Sequence, residues 1–411
     1  MEYRQHRLAN GLEIHAECND QAYTSGFGFF VKAGSRDETA GIGGVSHFLE
    51  HMVFKGTPNR TAAEVNLQLD QMGSSSNART SEESTIYHAS VLPEFQSDVV
   101  ALLSDIMRPS LRLEDFETEK KVIVEEIMMY ADQPPYGGYE RIMAEFYGDH
   151  PMGQSVLGTV DSVTGLTPEA MRSYFETRYS PSNMVLAAAG KIDFDRLVED
   201  VEKHCGQWKS FPAERVSQAP DYRSGFVSMH KPNSVQQYLL QMAPGASLQS
   251  EDRYAARVAA TIMGDDAGSR FYWEFLDSGL AESAGVGSYE HLGCGSLMMV
   301  ICCDPAKAEE NLGRAQKLFS KAASEGVTEK ELVMAKRKIA SHILLASERT
   351  DTRMFSVGTQ WLNSQPFKTP AQIADVYENV KLDEVNAALQ KYHMQSPMTI
   401  AVGPKDEWLA V

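Results

Sequence analysis

The sequence predicts an α+β fold made of two homologous domains, each a mostly antiparallel sheet flanked by helices. One observation is the order of the elements: strand-like segments come first, helix-like periodicity follows, and a buried strand with a closing helix ends the half. The other is recurrence. FGFFVKAG, ending at Gly34, is echoed by QQYLLQMAPG, ending at Gly245, 211 residues later, and NMVLAAAGKID, with Gly190, by PMTIAVGPKD, with Gly403, 213 residues later. The nearly constant offset indicates an internal duplication.

The elements of the first half follow from local patterns. An Asn-Gly turn at residues 10 and 11 lies within the strand-forming stretch LANGLEIHAE, and alternation follows in SGFGFFVKAGS. Helical periodicity then covers residues 43–56, 62–72, 94–107, 114–131, 138–147 and 168–178, and DFDRLVEDVEKHCGQW predicts a closing amphipathic helix. The polar, proline-containing stretch 211–224 reads as a linker, so the predicted domains are 1–210 and 225–411.

Composition excludes several classes of protein. A formal charge of −18 over 411 residues provides no basic footprint for nucleic acid. The apolar runs are too short to span a bilayer, so no membrane association is expected. Five cysteines without a C-x-x-C pair indicate reduced thiols, and residues 1–17 show no secretory leader. We therefore expect a cytoplasmic protein.

The segment HFLEH, residues 47–51, places three ionisable groups in an apolar run. On a helix, His47 and His51 project from one face, and two neutral imidazoles at that spacing suit a tetrahedral Zn²⁺ site. Glu50 points to the side of the metal, where it can act as general base toward a zinc-bound water that attacks a peptide carbonyl. Without a metal these buried groups would be left unsatisfied.

A catalytic zinc site needs a third protein ligand. The acidic helix at residues 116–131 supplies two candidates, because Glu119 and Glu126 lie two helical turns apart on one face. Glu126 as ligand, with Glu119 orienting a histidine N–H or assisting the base, fits this spacing. Periodicity leaves the reverse assignment open.

These motifs carry a family resemblance. GGVSHFLEHMVFKGT followed by EKKVIVEEI resembles the inverted-zincin peptidases of the pitrilysin (insulinase) family, and the 75 residues from His51 to Glu126 match the family spacing. The resemblance extends over nearly the whole chain. It implies that His47, His51 and Glu126 bind Zn²⁺, that Glu50 is the general base, and that Glu119 is the supporting acidic residue.

The resemblance also implies a mode of substrate binding. NARTSEESTIYHA alternates like an edge strand, and the corresponding family strand pairs with an extended peptide. Asn77, Ala78 and Thr80 are therefore expected at the substrate. Chain length resembles that of the subfamily of roughly 400-residue subunits that dimerise into a closed chamber, so the expected partners are extended peptides and a second subunit, identical or related.

One segment departs from the family pattern. Family members carry an arginine and a tyrosine that hold the substrate carbonyl, whereas GSRFYWEFLDSGLAES has Glu282 at the tyrosine position and no matching arginine. Arg270 or Tyr289 could substitute. The expected function is a zinc endopeptidase acting on unfolded peptides or precursor segments. The alternatives are a metal-bearing subunit of a heterodimer that needs its partner, and a non-catalytic assembly subunit.

Overall fold

The computed structural model describes residues 1–408, which form two sheets flanked by helices. The strands are β1 (Glu2–Arg7), β2 (Glu13–Cys18), β3 (Ser25–Val31), β4 (Ser75–Thr80), β5 (Thr85–Val91), β6 (Met184–Gly190), β7 (Gly225–His230), β8 (Gln237–Pro244), β9 (Ser283–His291), β10 (Cys294–Cys303) and β11 (Met398–Gly403). The α-helices are α1 (Val45–Val53), α2 (Ala62–Gln71), α3 (Gln96–Ile106), α4 (Leu113–Asp132), α5 (Pro134–Tyr147), α6 (Val160–Gly165), α7 (Pro168–Arg178), α8 (Phe194–Cys205), α9 (Arg253–Gly264), α10 (Ala308–Glu325), α11 (Glu329–Ala346), α12 (Thr350–Leu362), α13 (Pro370–Glu378) and α14 (Leu382–Lys391). The predicted α+β class is confirmed.

The first compact unit contains a six-stranded sheet in the order β1-β2-β6-β3-β5-β4. Its central strand β3 is buried along its whole length, which explains the nearly continuous apolar run in the sequence. Successive residues point to opposite faces: Phe27 and Phe29 join the core that includes Phe48 of α1, whereas Phe30 packs with Met354 of α12. Both faces of this sheet are therefore covered.

The second compact unit contains a five-stranded sheet in the order β7-β11-β8-β10-β9. One face packs against a core that includes residues of α9, α10 and α14. The other face packs against α5, where Ile142 and Phe146 contact a cluster that includes Leu240 and Ile400. This sheet is likewise buried between two layers of helix.

The two sheets repeat one strand order. The series β2-β6-β3-β5-β4 corresponds to β7-β11-β8-β10-β9. The pairs β2-β6 and β7-β11 are parallel, and the remaining pairs of both series are antiparallel. The sequence echoes fall on matching strands, β3 with β8 and β6 with β11. This agreement supports duplication as the origin of the two halves.

The compact units depart from the predicted domain ranges in two segments. Residues 129–153, which include α5, group with the second sheet, and residues 346–367, which include α12, group with the first. The physical reason is that the other helices of each half cover only one face of its sheet, so the apolar side of a helix from the other half covers the second face. Residues 211–224 contain neither helix nor strand, and the division between units falls after Val216. The helices within residues 1–408 are each too short or too polar to span a membrane.

Candidate metal centre

Helix α1 carries the HFLEH segment and is fixed at its N-terminus by a buried carboxylate. The residue before the helix, Gly44, has φ of +87°, a left-handed conformation that favours glycine. The two oxygens of Glu38 accept the backbone N–H groups of Gly44 and Ser46, each at 2.8 Å. Burial raises the pKa of Glu38 to about 8, and the two backbone hydrogen bonds oppose that rise. Glu38 was not predicted from the sequence, because no local pattern marks a capping residue six positions before the N-cap Gly44.

The structure brings His47, His51 and Glu126 together. The Nε2 atoms of His47 and His51 lie 3.9 and 3.7 Å from Oε2 of Glu126, and the three potential ligand atoms are all within 4.8 Å of one another. Tetrahedral ligands at a Zn–N distance of about 2.0–2.1 Å would be about 3.4 Å apart. The observed separations are slightly wider than this, so small side-chain shifts would bring the three atoms to one ion.

The chemistry of these donors fits a divalent cation. Burial, reinforced by the neighbouring His51, lowers the pKa of His47 to about 3, so its imidazole is neutral and keeps a lone pair. His51 shares a hydrogen bond with Glu119 through Nδ1, which directs Nε2 toward Glu126. Both Nε2 atoms therefore lie near one carboxylate oxygen at distances too long for a hydrogen bond. A divalent cation between them could be bound by all three atoms.

Glu119 lies beside the cluster and not within it. Glu119 is 5% exposed, and its Oε1 is 2.8 Å from Nδ1 of His51 while its Oε2 is 2.6 Å from Nζ of Lys55. Burial raises the pKa of Glu119, but the hydrogen bonds from His51 and Lys55 outweigh burial and leave the pKa lowered. Burial likewise lowers the pKa of His51, and its interactions with Glu119 reverse the shift. Of the two glutamates left open by periodicity, Glu126 is the one that faces both imidazoles.

Glu50 projects from α1 beside the cluster and contacts the edge strand. Its Oε2 accepts a hydrogen bond of 2.5 Å from the hydroxyl of Thr80 on β4. Burial raises the pKa of Glu50, and the Thr80 hydrogen bond opposes that shift. Oε1 of Glu50 is not used in that contact, which leaves an oxygen for proton transfer.

The three residues expected at the substrate lie on β4, which is the edge of the first sheet and pairs with β5. Ala78 packs on the core and Thr80 contacts Glu50, so these two side chains point toward α1. Asn77 is exposed on the opposite face, and its side-chain oxygen accepts the backbone N–H of Ala78 at 2.9 Å. The strand expected at the substrate is thus at a sheet edge, but Ala78 and Thr80 face α1 whereas Asn77 faces the opposite side.

Arg270 has a different environment from the one expected for a substrate-binding group. Its guanidinium donates to both carboxylate oxygens of Glu331, at 2.7 and 3.1 Å, and to the carbonyl of Gly326 at 3.0 Å. The guanidinium of Arg270 is therefore engaged within the second unit. Glu282 accepts a hydrogen bond of 2.7 Å from Gln236, and Tyr289, on the edge strand β9, is 47% exposed.

Comparison with known proteins gives a consistent picture. Residues 14–160 match the family described as Insulinase (Peptidase family M16), and residues 165–339 match the Peptidase M16 inactive domain. An uncharacterized zinc protease of Mycobacterium leprae is 31% identical over 390 residues, which cover 92% of this chain and 87% of the relative. An uncharacterized zinc protease of Bacillus subtilis is 29% identical, with 98% of each chain covered.

Solved structures share the fold. A protease from Helicobacter pylori has a TM-score of 0.91 at 20% identity, covering 98% of this chain and 99% of the other. A structure described as a peptidase M16 inactive domain, from Pseudomonas fluorescens, also has a TM-score of 0.91, at 17% identity, covering 99% of this chain and 98% of the other. The fold is that of the M16-like two-domain peptidases. The chain belongs to the insulinase family, peptidase family M16.

Proposed function

We propose that this protein is a zinc-dependent endopeptidase that hydrolyses extended peptides. The observation that carries the proposal is the convergence of two imidazole Nε2 atoms on one oxygen of Glu126, with the Glu50 carboxylate beside them. A cluster of this composition has a clear chemical use in metal-assisted hydrolysis. The names of the relatives, which are called zinc proteases, agree with this proposal.

In the proposed reaction each residue has a separate task. His47, His51 and Glu126 would hold Zn²⁺, which supplies Lewis-acid polarisation and lowers the pKa of a coordinated water. Glu50 accepts a proton from the attacking water at Oε1 and delivers it to the nitrogen of the leaving amine. Thr80 fixes the rotation of Glu50 by donating to Oε2. Glu119 orients the imidazole of His51 through Nδ1.

The substrate in this proposal lies along β4. Its free edge offers backbone N–H and C=O groups to an extended chain, so binding requires an unfolded segment and tolerates varied side chains. Thr80, on that strand, is in direct contact with Glu50, so a peptide paired there would have its backbone close to the proposed base. Asn77 and Ala78 would contribute backbone pairing, since the side chain of Ala78 packs on the core.

A second candidate function has its own supporting observation. Glu282 occupies the position of the usual tyrosine, and the guanidinium of Arg270 is engaged by Glu331. Loss of a donor that stabilises the tetrahedral intermediate costs on the order of 100-fold to 1000-fold in turnover. A partner subunit, in a homodimer or a heterodimer, could supply this donor. A non-catalytic assembly subunit would retain the metal without turnover.

The test measures cleavage of an internally quenched fluorogenic peptide of basic sequence by the purified chain, together with its zinc content. We expect hydrolysis that stops on addition of a chelator and returns with zinc. Glu50→Gln should retain zinc and lose at least about 100-fold in kcat, because general-base catalysis contributes roughly 10²- to 10⁴-fold. Full activity in Glu50→Gln would refute the proposed mechanism. Zinc binding without cleavage would instead favour the assembly subunit or a heterodimer, and activity on addition of a related subunit would identify the latter.

A further inference from the structure

We propose that Lys55 is a positioning residue for the metal centre, acting through Glu119 on the orientation of His51. The proposal rests on the proposed zinc site and deepens it. Lys55 lies four residues after His51, just beyond the end of α1, and its Nζ is 2.6 Å from Oε2 of Glu119. The other oxygen of that carboxylate is 2.8 Å from Nδ1 of His51.

Two contacts on one carboxylate fix its rotation. A carboxylate held at a single oxygen can turn about its last side-chain bond, and the hydrogen bond to His51 would turn with it. Lys55 removes this freedom by holding Oε2, so Oε1 stays aligned with Nδ1 of His51. The ammonium group also supplies the counter-charge that Glu119, at 5% exposure, needs in order to remain buried. By fixing Glu119 in this way, Lys55 keeps Nε2 of His51 directed at Glu126.

The contact between Lys55 and Glu119 matters because only one of the two imidazoles has a side chain that orients it. Nδ1 of His47 is buried and has no hydrogen-bond partner among the residues described. Metal-binding histidines usually donate their second nitrogen to an orienting group, and here only His51 has a side chain in that role. The orientation of the proposed site therefore depends on the chain of contacts from Lys55 through Glu119 to His51.

Other contacts hold the end of α1 and helix α4 in place, so Lys55 is not needed for that purpose. The backbone at Lys55 is already fixed, because its N–H donates to the carbonyl of Met52 and its carbonyl accepts from Arg112. Lys120, next to Glu119 on α4, donates to the carbonyls of Thr164 and Leu166 and so attaches α4 without touching Glu119. Lys120 is thus a matched control for a lysine that only holds the helix in place.

The experiment measures the zinc affinity of the full chain by competition with a chelating indicator, and the unfolding temperature of the metal-free protein. Lys55→Met is expected to weaken zinc binding about 10-fold, at the lower end of the effects of groups that orient metal ligands. Lys55→Arg should retain most of the affinity, because a guanidinium can also donate to the carboxylate. Lys120→Met should bind zinc as the wild type does. Lys55→Gln provides a second neutral variant, with the same expected loss, should Lys55→Met fail to fold.

A double variant tests the route through Glu119. Once Glu119→Gln has removed the anionic oxygen, adding Lys55→Met should weaken zinc binding no further. The proposal is overturned if both neutral Lys55 variants bind zinc as tightly as the wild type, if Lys120→Met loses as much affinity, or if the two losses are additive. A wild-type chain that binds no zinc would overturn the proposed function as well, whereas zinc binding that is insensitive to Lys55 overturns this inference alone.

Discussion

The contact between Thr80 and Glu50 gives a sharp prediction for catalysis. Thr80→Val removes the hydroxyl but keeps the shape and the β-branched side chain, so β4 should retain its pairing with β5. The lost interaction is a hydrogen bond of 2.5 Å to a partly buried carboxylate. A hydrogen bond to a charged group contributes roughly 1.5–3 kcal/mol, which corresponds to about a 10- to 150-fold decrease in kcat if Glu50 loses its orientation.

The assay separates this effect from substrate binding. Peptide hydrolysis should show a decrease in kcat with little change in KM, because the backbone edge of β4 is intact in Thr80→Val. Thr80→Ser, which keeps the hydroxyl, should retain most of the activity, and zinc content should be the same in all three proteins. A Thr80→Val enzyme with wild-type kcat would refute this account of Glu50, and a loss of zinc in that variant would mean that Thr80 supports the metal ligands instead.

Two further predictions concern the stability of the protein. In chelator-treated protein the burial of His47 lowers its pKa from 6.5 to about 3, so the unfolded chain binds a proton first and stability is lost as the pH falls below 6.5. Between pH 7 and pH 5 the wild type should lose about 2 kcal/mol that His47→Gln does not lose, as measured by urea denaturation; equal pH dependence in both proteins would contradict this. Gly358→Ala in α12 should destabilise the protein, because the new Cβ would lie 2.5 Å from ring carbons of the fully buried Phe30. This clash should cost roughly 1–3 kcal/mol, which outweighs a gain in helix propensity of about 1 kcal/mol. Gly313→Ala in α10, where no atom lies within 4 Å of the new Cβ, should instead stabilise the protein by up to about 1 kcal/mol. Equal shifts of the unfolding temperature in the two variants would show that α12 does not pack tightly on the first sheet.

The proposed site was accessible from sequence because its geometry is largely local. His47 and His51 are one helical turn apart, and Glu119 and Glu126 are two turns apart, so helical periodicity alone sets the face on which each side chain projects. Lys55 carried a usable signal, since it lies four residues after His51, but its partner on α4 is 64 residues away in the chain. Local patterns do not report such a pairing.

By itself the sequence determined the α+β class, the internal duplication, and the residues most suited to bind a metal. Each of these depends on patterns a few residues long, or on similarity between two halves of the chain. Only the tertiary structure decided that Glu126 faces both imidazoles, that Thr80 donates to Glu50, and that α5 and α12 cover the sheets of opposite halves. These features depend on which surfaces pack together to bury apolar area, and that choice is made between segments far apart in the chain.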